Sequence, residues 1–435
     1  GIPVNDALKK FFNGLIDLGY KPRMEAQPVK VDIDALFRIT AEPVFAKLSQ
    51  LAYHSCAMDG IATRSHVTFG ANEINPIQLQ LGKDAVYVDT GDPLPKGFDS
   101  VIMVEDLIEI TDDSVKIIAP SKPWQHIRTI GEDIVATELV LPANHKLRAC
   151  DIGALLAAGV TQIMVRRKPK IVIIPTGDEL ILPGATPEIG DIIEFNSRLI
   201  GGLIREWGGE PVFWDIVKDE PQALINAVKD ACDIGDIVMI NAGSSAGSED
   251  YTADVVESLG KLFVHGVAIK PGKPTILGSV NGKPFLGVPG YPVSASLCCE
   301  LFLLPLMAKM LGQPVKSRET ISAISAGRIV SQPGVDEFVR VKVGKVGDRY
   351  VASPLARGAG AIMSLVRADG YMKIPNSSQG VLESSEIVVN LLRDVDEIDN
   401  AIVAIGSHDL ALDLLGSLLA NEYPGMNLSS THVGS

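Results

Sequence analysis

The chain is poor in cysteine, and the cysteines it has form no pattern. Five (Cys56, Cys150, Cys232, Cys298 and Cys299) occur in 435 residues, without metal-ligating or redox spacing and without the makings of a disulfide framework. Adjacent Cys298 and Cys299 lie in the apolar run Ala295–Leu306 and read as buried free thiols. Positive charge is short as well: 39 Lys and Arg stand against 53 Asp and Glu, a net −14. That balance argues against nucleic acid as a general partner, and it obliges any anionic ligand to find a local cationic pocket. No signal peptide or membrane-spanning run stands out, so a cytoplasmic protein without a membrane partner is the expectation. No Ser-His-Asp or Cys-His arrangement is evident, which leaves covalent catalysis without support.

What is present is globular and rich in loops: 46% hydrophobic and 21% charged residues, with 41 Gly and 27 Pro. The length suggests about three domains. Residues 1–50 read as helical, with Asn5 placed to cap a helix through about Leu18 and apolar residues at helical spacing from Ile33 to Leu51. From 52 to 140 the pattern changes to short β-type runs (Val86–Val88, Ser100–Val104, Val115–Ile118) between Gly, Pro and Asp turns. Ala149–Ala158 returns to helix. Lys170–Ile174 then opens alternating strands and helices up to about Leu311, with helices expected at Asn196–Trp207, Pro221–Cys232, Ala253–Leu259 and Val293–Met310. Continuous apolar strands between helices imply a doubly wound, mostly parallel sheet. Residues 320–395 are β-type again and fit a small barrel or sandwich. Asp394–Asp399 is an acidic linker, and Ala401–Leu410 starts a further strand-loop-helix unit. That unit stops after about 35 residues, too few to be stable alone, so it is expected to be disordered or docked.

Chemistry concentrates between 236 and 294. The apolar run Asp236–Ile240 meets the small-residue stretch Asn241–Gly247, and a helix follows; strand, small-residue loop and helix start together turn backbone N–H groups toward an anion. Ile269-Lys-Pro-Gly-Lys-Pro274 adds two cations, and Gly287–Ser294 a third tight turn. One such loop is as readily an ordinary βα turn. Three within one βαβ-like unit point to an anion-binding site.

Several motifs in this order resemble one family. They are Ser55-Cys-Ala-Met-Asp-Gly60, Thr90-Gly-Asp-Pro-Leu-Pro95, Arg128-Thr-Ile-Gly-Glu-Asp133, Thr176-Gly-Asp-Glu-Leu180, Ala242-Gly-Ser-Ser-Ala-Gly-Ser-Glu-Asp-Tyr251, Ile269-Lys-Pro-Gly-Lys-Pro274, Pro289-Gly-Tyr-Pro-Val-Ser294 and Ser364-Leu-Val-Arg-Ala-Asp-Gly370. Together they are similar to the MoeA-type molybdopterin molybdenumtransferases, related to the gephyrin E domain, and they cover most of 25–395. The final segment resembles the opening of a periplasmic-binding-protein-like domain.

The resemblance implies a multidomain α/β-plus-β protein. Residues 1–51 and 141–168 would form an elongated linker and dimerisation domain carrying a β-rich insertion at 52–140. A molybdopterin-binding α/β domain would follow at 169–315, a C-terminal small β-barrel-like domain at 316–395 and an incomplete appended segment at 396–435. It also implies a reaction of molybdenum cofactor biosynthesis: insertion of molybdate into adenylylated molybdopterin, with Mg²⁺-dependent release of AMP. Alternatives are molybdopterin adenylylation, a tungstate-inserting variant, and a non-catalytic molybdopterin-binding or scaffold role. Implied partners are a second copy sharing the active site and the molybdopterin adenylyltransferase.

For the cation the candidates are Glu179, Asp236 and Asp250, since oxygen ligands suit Mg²⁺. Glu179 and Asp250 would gather at the carboxyl edge of the sheet, where they could equally cap helices. Asp236 starts its strand, fits less easily, and comes from the family match. For molybdate the candidates are Lys270, Lys273, Ser294, Arg340 and Ser364, although lysines in a Pro-Gly turn can be merely solvated and Arg340 could be an exposed strand charge. Asp59 and Thr90 are implied to complete the site of a dimer partner, although Asp59-Gly60 alone is a plain turn signal. Contacts to the pterin and phosphates are assigned to Thr176, Gly177, Gly243, Ser245, Gly247, Pro274, Pro289 and Gly290. Two positions depart from the family pattern: Tyr291 stands where Asn is usual, and Ala242 where Gly is favoured.

Overall fold

A computed structural model describes residues 1–242, 248–355, 357–406 and 409–432. The chain forms two compact units, Glu25–Arg167 and Gly1–Met24 with Lys168–Ser435.

In the Glu25–Arg167 unit, Ala26–Lys30 pairs antiparallel with Gln162–Arg166. Between them lie a three-stranded sheet, with Gly60–Thr63 flanked by Ala85–Val88 and Ser100–Met103, and a second built from Ile77–Gln80, Ser114–Ile117 and Leu107–Ile108. The β-rich character expected of 52–140 is there. Helix Ala149–Ala157 starts where Asp151 accepts the backbone N–H of Arg148 at 2.8 Å. The helix expected over Ile33–Leu51 is absent. That stretch holds one 3-10 turn, Ile33–Ala35, and the short strand Val44–Phe45. Pro43 disfavours helical geometry at Glu42, and Phe37 takes φ 65° with its ring exposed.

The other unit is built on a six-stranded sheet. Its order is Glu210–Phe213, Lys170–Thr176, Ile237–Ala242, Lys283–Pro289, Ile276–Val280 and Gly260–His265. The first four strands are parallel, and the last two add as an antiparallel extension. Period-2 alternation feeds two cores. Ile171, Ile173, Ile237, Met239 and Leu286 pack with Phe11, Phe302 and Met307 on one face; Val172, Ile174, Val238, Ile240 and Phe285 pack with Val228 and Val256 on the other. Each such side chain contributes about 1.5–3 kcal/mol. Helices Val4–Asp17, Asn196–Glu206, Pro221–Ile234 and Ser248–Leu259 cover the faces.

Pro292–Leu311 is long and apolar enough to cross a membrane by composition, yet most of it is buried inside the protein. Its π-helical turn Cys299–Leu303 precedes Pro305. The Pro ring would strike the carbonyl four residues back, and the wider turn relieves that clash. Burial pushes the Cys298 thiol up to about 12 against a contact from Thr275, and raises Cys299 well above the usual thiol range as well. Cys150 is exposed. Alkylation at mildly alkaline pH should therefore mark Cys150 first and reach Cys298 and Cys299 only after unfolding. Mass spectrometry of the native protein checks this, and comparable labelling of Cys298 would contradict the packing.

Residues 320–391 form a closed five-stranded barrel. Asp336–Val346 pairs with Arg349–Pro354, which pairs with Thr320–Ser325, then Glu386–Leu391, then Gly370–Ile374, which returns to Asp336–Val346. The short strand Ile269–Lys270 joins the barrel parallel to Asp336–Val346, setting Lys270 opposite Glu337. The last segment forms parallel strands Ala401–Gly406 and Asn427–His432 joined through helix Leu410–Glu422. It is docked: Val403 lies so close to Gly344 of the barrel that a Cβ there would sit 2.6 Å from it.

Candidate functional site

The strands ending at Thr176, Ala242 and Pro289 bring their carboxyl ends to one edge of the parallel sheet. A cavity of about 380 Å³ opens there, walled by Lys270, Lys273, Ser294 and Arg357, with Ile276, Gly287 and Val288 among its apolar lining. The Pro271–Pro274 turn shapes it. Gly272 has φ 108°, and a Cβ there would lie 2.9 Å from Cys298 Sγ. Both the backbone angle and the space require glycine. Thr275 Oγ1 donates to the Gly272 carbonyl at 2.7 Å, fixing the turn.

Lys270 Nζ lies 3.3 Å from Glu337 Oε1, and Arg357 binds the same carboxylate, its Nε at 3.1 Å. Ser331 Oγ donates to Glu337 Oε2 at 2.7 Å. Burial pushes the Glu337 carboxyl upward, but Arg357, Ser331 and Lys270 outweigh it and hold the group below its usual range. Lys273 is exposed, and Ser294 is buried in the first turn of its helix.

A second cavity of about 200 Å³ adjoins, lined by Thr176, Glu179, Asn196, Asn241, Ala242, Gly290 and Tyr291. Two amides brace the glycine turn between the cavities: Asn241 Nδ2 donates to the Pro289 carbonyl at 2.9 Å, and Asn196 Nδ2 to that of Gly290. Tyr291 lines both cavities, with its ring against Gly360. Near Glu179, burial and then the charges of Glu179 and Asp178 push the Asp219 carboxyl up, against a hydrogen bond with Thr176. Asp219 Oδ1 is buried without a hydrogen-bond partner.

The sequence candidates thus sort by place. Lys270, Lys273, Pro274, Pro289, Gly290 and Ser294 share the first cavity; Thr176, Glu179 and again Gly290 line the second. Gly177 sits beside Glu179, where a Cβ would meet Oε2 at 2.8 Å. Arg340 and Ser364 are joined by a 2.7 Å hydrogen bond, and Arg340 lines a different cavity with Glu300, Arg318 and Tyr371. Asp236 is not brought to the others: it precedes its strand at the amino edge, where Oδ2 accepts the Lys170 backbone N–H at 2.7 Å. Gly243, Ser245 and Gly247 lie outside the described residues, as does the side chain of Asp250, whose backbone belongs to helix Ser248–Leu259. In the Glu25–Arg167 unit, Asp59 Oδ1 accepts both the backbone N–H and the hydroxyl of Thr90, at 2.7 and 2.8 Å, and these bonds lower its pKa. Glu337, Arg357, Asp219 and Asn196 were not singled out by the sequence.

Among the described residues no group of three or more His, Cys, Asp or Glu is arranged to hold a metal ion. Glu179 with the unpartnered oxygen of Asp219 fits a hard divalent cation only if phosphate oxygens and waters complete its shell, which is the usual habit of Mg²⁺.

Three family descriptions match successive stretches: MoeA N-terminal region (domain I and II) over 2–159, probable molybdopterin binding domain over 172–309, and MoeA C-terminal region (domain IV) over 322–392. A Methanocaldococcus jannaschii protein named for molybdopterin biosynthesis is 34% identical over 380 residues, 84% of this chain and 92% of that one. Molybdopterin molybdenumtransferase 2 of Mycobacterium tuberculosis is 30% identical over 80% of this chain and 90% of its own. The crystal structure of a molybdopterin biosynthesis MoeA protein from Pyrococcus horikoshii superposes with a TM-score of 0.77 at 31% identity, covering 90% of this chain and 99% of that one.

Proposed function

Because this chain belongs to the MoeA family, the molybdopterin molybdenumtransferases of molybdenum cofactor biosynthesis, we propose that it transfers molybdenum from molybdate to adenylylated molybdopterin, releasing AMP. The observation that carries this is the cavity ringed by Lys270, Lys273, Arg357 and Ser294 in a chain of net charge −14. A tetrahedral dianion needs several convergent donors, and charge-assisted ones are the strongest.

In this reading Lys270, Lys273 and Ser294 hold the oxyanion, and Ile276 and Val288 give the pterin an apolar rest. Glu179 and Asp219 would hold a Mg²⁺ ion together with substrate phosphate; bound there, the ion neutralises phosphate charge. Asp59, held by Thr90, orients a water or phosphate oxygen in the site of a second copy. Asp59→Ala subunits mixed with Lys273→Ala subunits should then recover part of the activity, up to about a quarter of wild type for random pairing; verified mixed dimers that stay inactive would overturn the sharing.

The central test is single-turnover AMP release from adenylyl-molybdopterin with Mg²⁺, with molybdate or tungstate supplied in parallel. Oxyanion-dependent release with cofactor formation is expected. Nucleotide that stays bound with either oxyanion would overturn transfer. Tyr291, which faces both cavities, is the first residue to exchange for Asn if tungstate proves the better substrate.

A further inference from the structure

Two cations on the wall of the first cavity share one buried counter-ion. The Glu337 side chain is 3% exposed, whereas those of Lys270 and Arg357 are 50% and 36% exposed. The carboxylate therefore lies behind the wall while its partners reach the cavity. Both of its oxygens are engaged: Oε1 by Lys270 and Arg357, Oε2 by Ser331. The arrangement follows from topology. Lys270 sits on the two-residue strand paired with Asp336–Val346, Glu337 is its register partner on the barrel, and Arg357 comes from the loop after Arg349–Pro354. Side by side, two cations repel each other; a common carboxylate removes that cost and fixes both heads in one place. Long flexible Lys and Arg chains would otherwise surrender rotamer entropy on binding an anion. The three charges sum to +1, and Lys273 on the same cavity adds another.

We propose that Arg357 is an oxyanion-contacting residue of this cavity, and that Glu337 is a positioning residue which presents Lys270 and Arg357 together to a tetrahedral dianion. The assignment rests on the oxyanion reading of the site and adds two residues to it. Glu337 touches no reacting atom; it acts through the two cations. Removing its charge loosens Lys270 and leaves Arg357 only its 2.8 Å bond to the Val330 carbonyl, so anion affinity falls while the chemistry at saturation is largely kept. Removing Arg357 takes away one donor and leaves Lys270 with the whole carboxylate.

The test uses the full chain with sodium molybdate as probe, in two readouts: calorimetric affinity, and the molybdate KM and kcat of AMP release. Glu337→Gln and Arg357→Gln should each raise Kd and KM by about tenfold or more, with kcat at saturating molybdate within about threefold of wild type. Glu337→Asp and Arg357→Lys should restore a substantial part. An unchanged molybdate Kd and KM in Glu337→Gln would overturn the positioning role, and a loss confined to kcat would do the same. If Glu337→Gln fails to fold, Arg357→Gln decides, because its side chain is at the surface and its loss leaves Ser331 and Lys270 on the carboxylate. Wild-type protein that binds molybdate but does not turn over defeats the transferase reading, and the Kd comparison still decides this inference. Wild-type protein that binds none defeats both.

Discussion

Replacing Lys273 by alanine is expected to lower oxyanion-dependent turnover by about 10²–10³, the usual cost of removing one preorganised donor at developing or bound negative charge. Lys273 faces the cavity with its side chain exposed. What its backbone contributes survives the substitution: its carbonyl accepts the Val267 N–H at 2.8 Å, and Gly272 continues to form the turn. Stability should therefore stay within about 0.5 kcal/mol of wild type, the ordinary range for a surface change. Steady-state kinetics with molybdate, set beside a thermal melt, separates the two effects. A variant that melts like wild type and turns over like wild type would remove Lys273 from the oxyanion site. Lys270→Ala should be comparably slow for a partly different reason. It deletes a cation and also leaves the Glu337 carboxylate to Arg357 and Ser331 alone, so the wall loses its shared charge.

How much of this was readable beforehand depends on how local the cause was. The sheet was legible because its strands are unbroken apolar runs closed by turn residues, and their alternation is the same alternation that divides the two cores. Lys270, Lys273 and Ser294 were legible because the Pro-Gly turn and the Pro292 helix start write their geometry into a few adjacent residues. Strand direction alone had already made Asp236 awkward, and it lies at the amino edge holding Lys170. Glu337 could not be found in this way. It sits in an alternating strand where a charged residue reads as solvent-facing, yet Asp336–Gly344 is buried throughout because the strand is covered on both faces. Its partners come from Lys270, far earlier in the chain, and Arg357, beyond the next strand; only barrel closure and the added parallel strand bring them together. The helix missing over Ile33–Leu51 shows the reverse: helical spacing of apolar residues is a tendency, and Pro43, which disfavours helical geometry at Glu42, works against it.

Gly60→Ala should be among the most damaging small changes in the chain, although Asp59-Gly60 looks like an ordinary turn. Gly60 opens the central strand of its sheet, opposite Val88 on one side and Met103 on the other. A Cβ there would lie 1.9 Å from the Ile102 carbonyl oxygen and 2.9 Å from the Val104 nitrogen. Those are backbone atoms, so no side-chain rotation can make room; Ile61 and Ala62 beside it are fully buried, so the strand cannot slide outward. Overpacking of this kind costs about 1–3 kcal/mol and more when backbone must move. The displacement falls on the 2.9 Å bond from the Val104 N–H to the Asp59 carbonyl, and through it on the Asp59 carboxylate that Thr90 holds. Two losses are therefore expected together: faster hydrogen exchange across Gly60–Thr63 and Ser100–Met103, and lower turnover. Gly97→Ala is the control. Gly97 has φ 89° but nothing within 4 Å of where its Cβ would stand, so it carries backbone strain of about 1 kcal/mol without a clash. If Gly60→Ala exchanges and turns over no worse than Gly97→Ala, the glycine at 60 is there for its turn, and the close strand contact does not hold Asp59 in place. If only Gly60→Ala loses both, the small residue beside Asp59 is what lets the sheet deliver that carboxylate to Thr90.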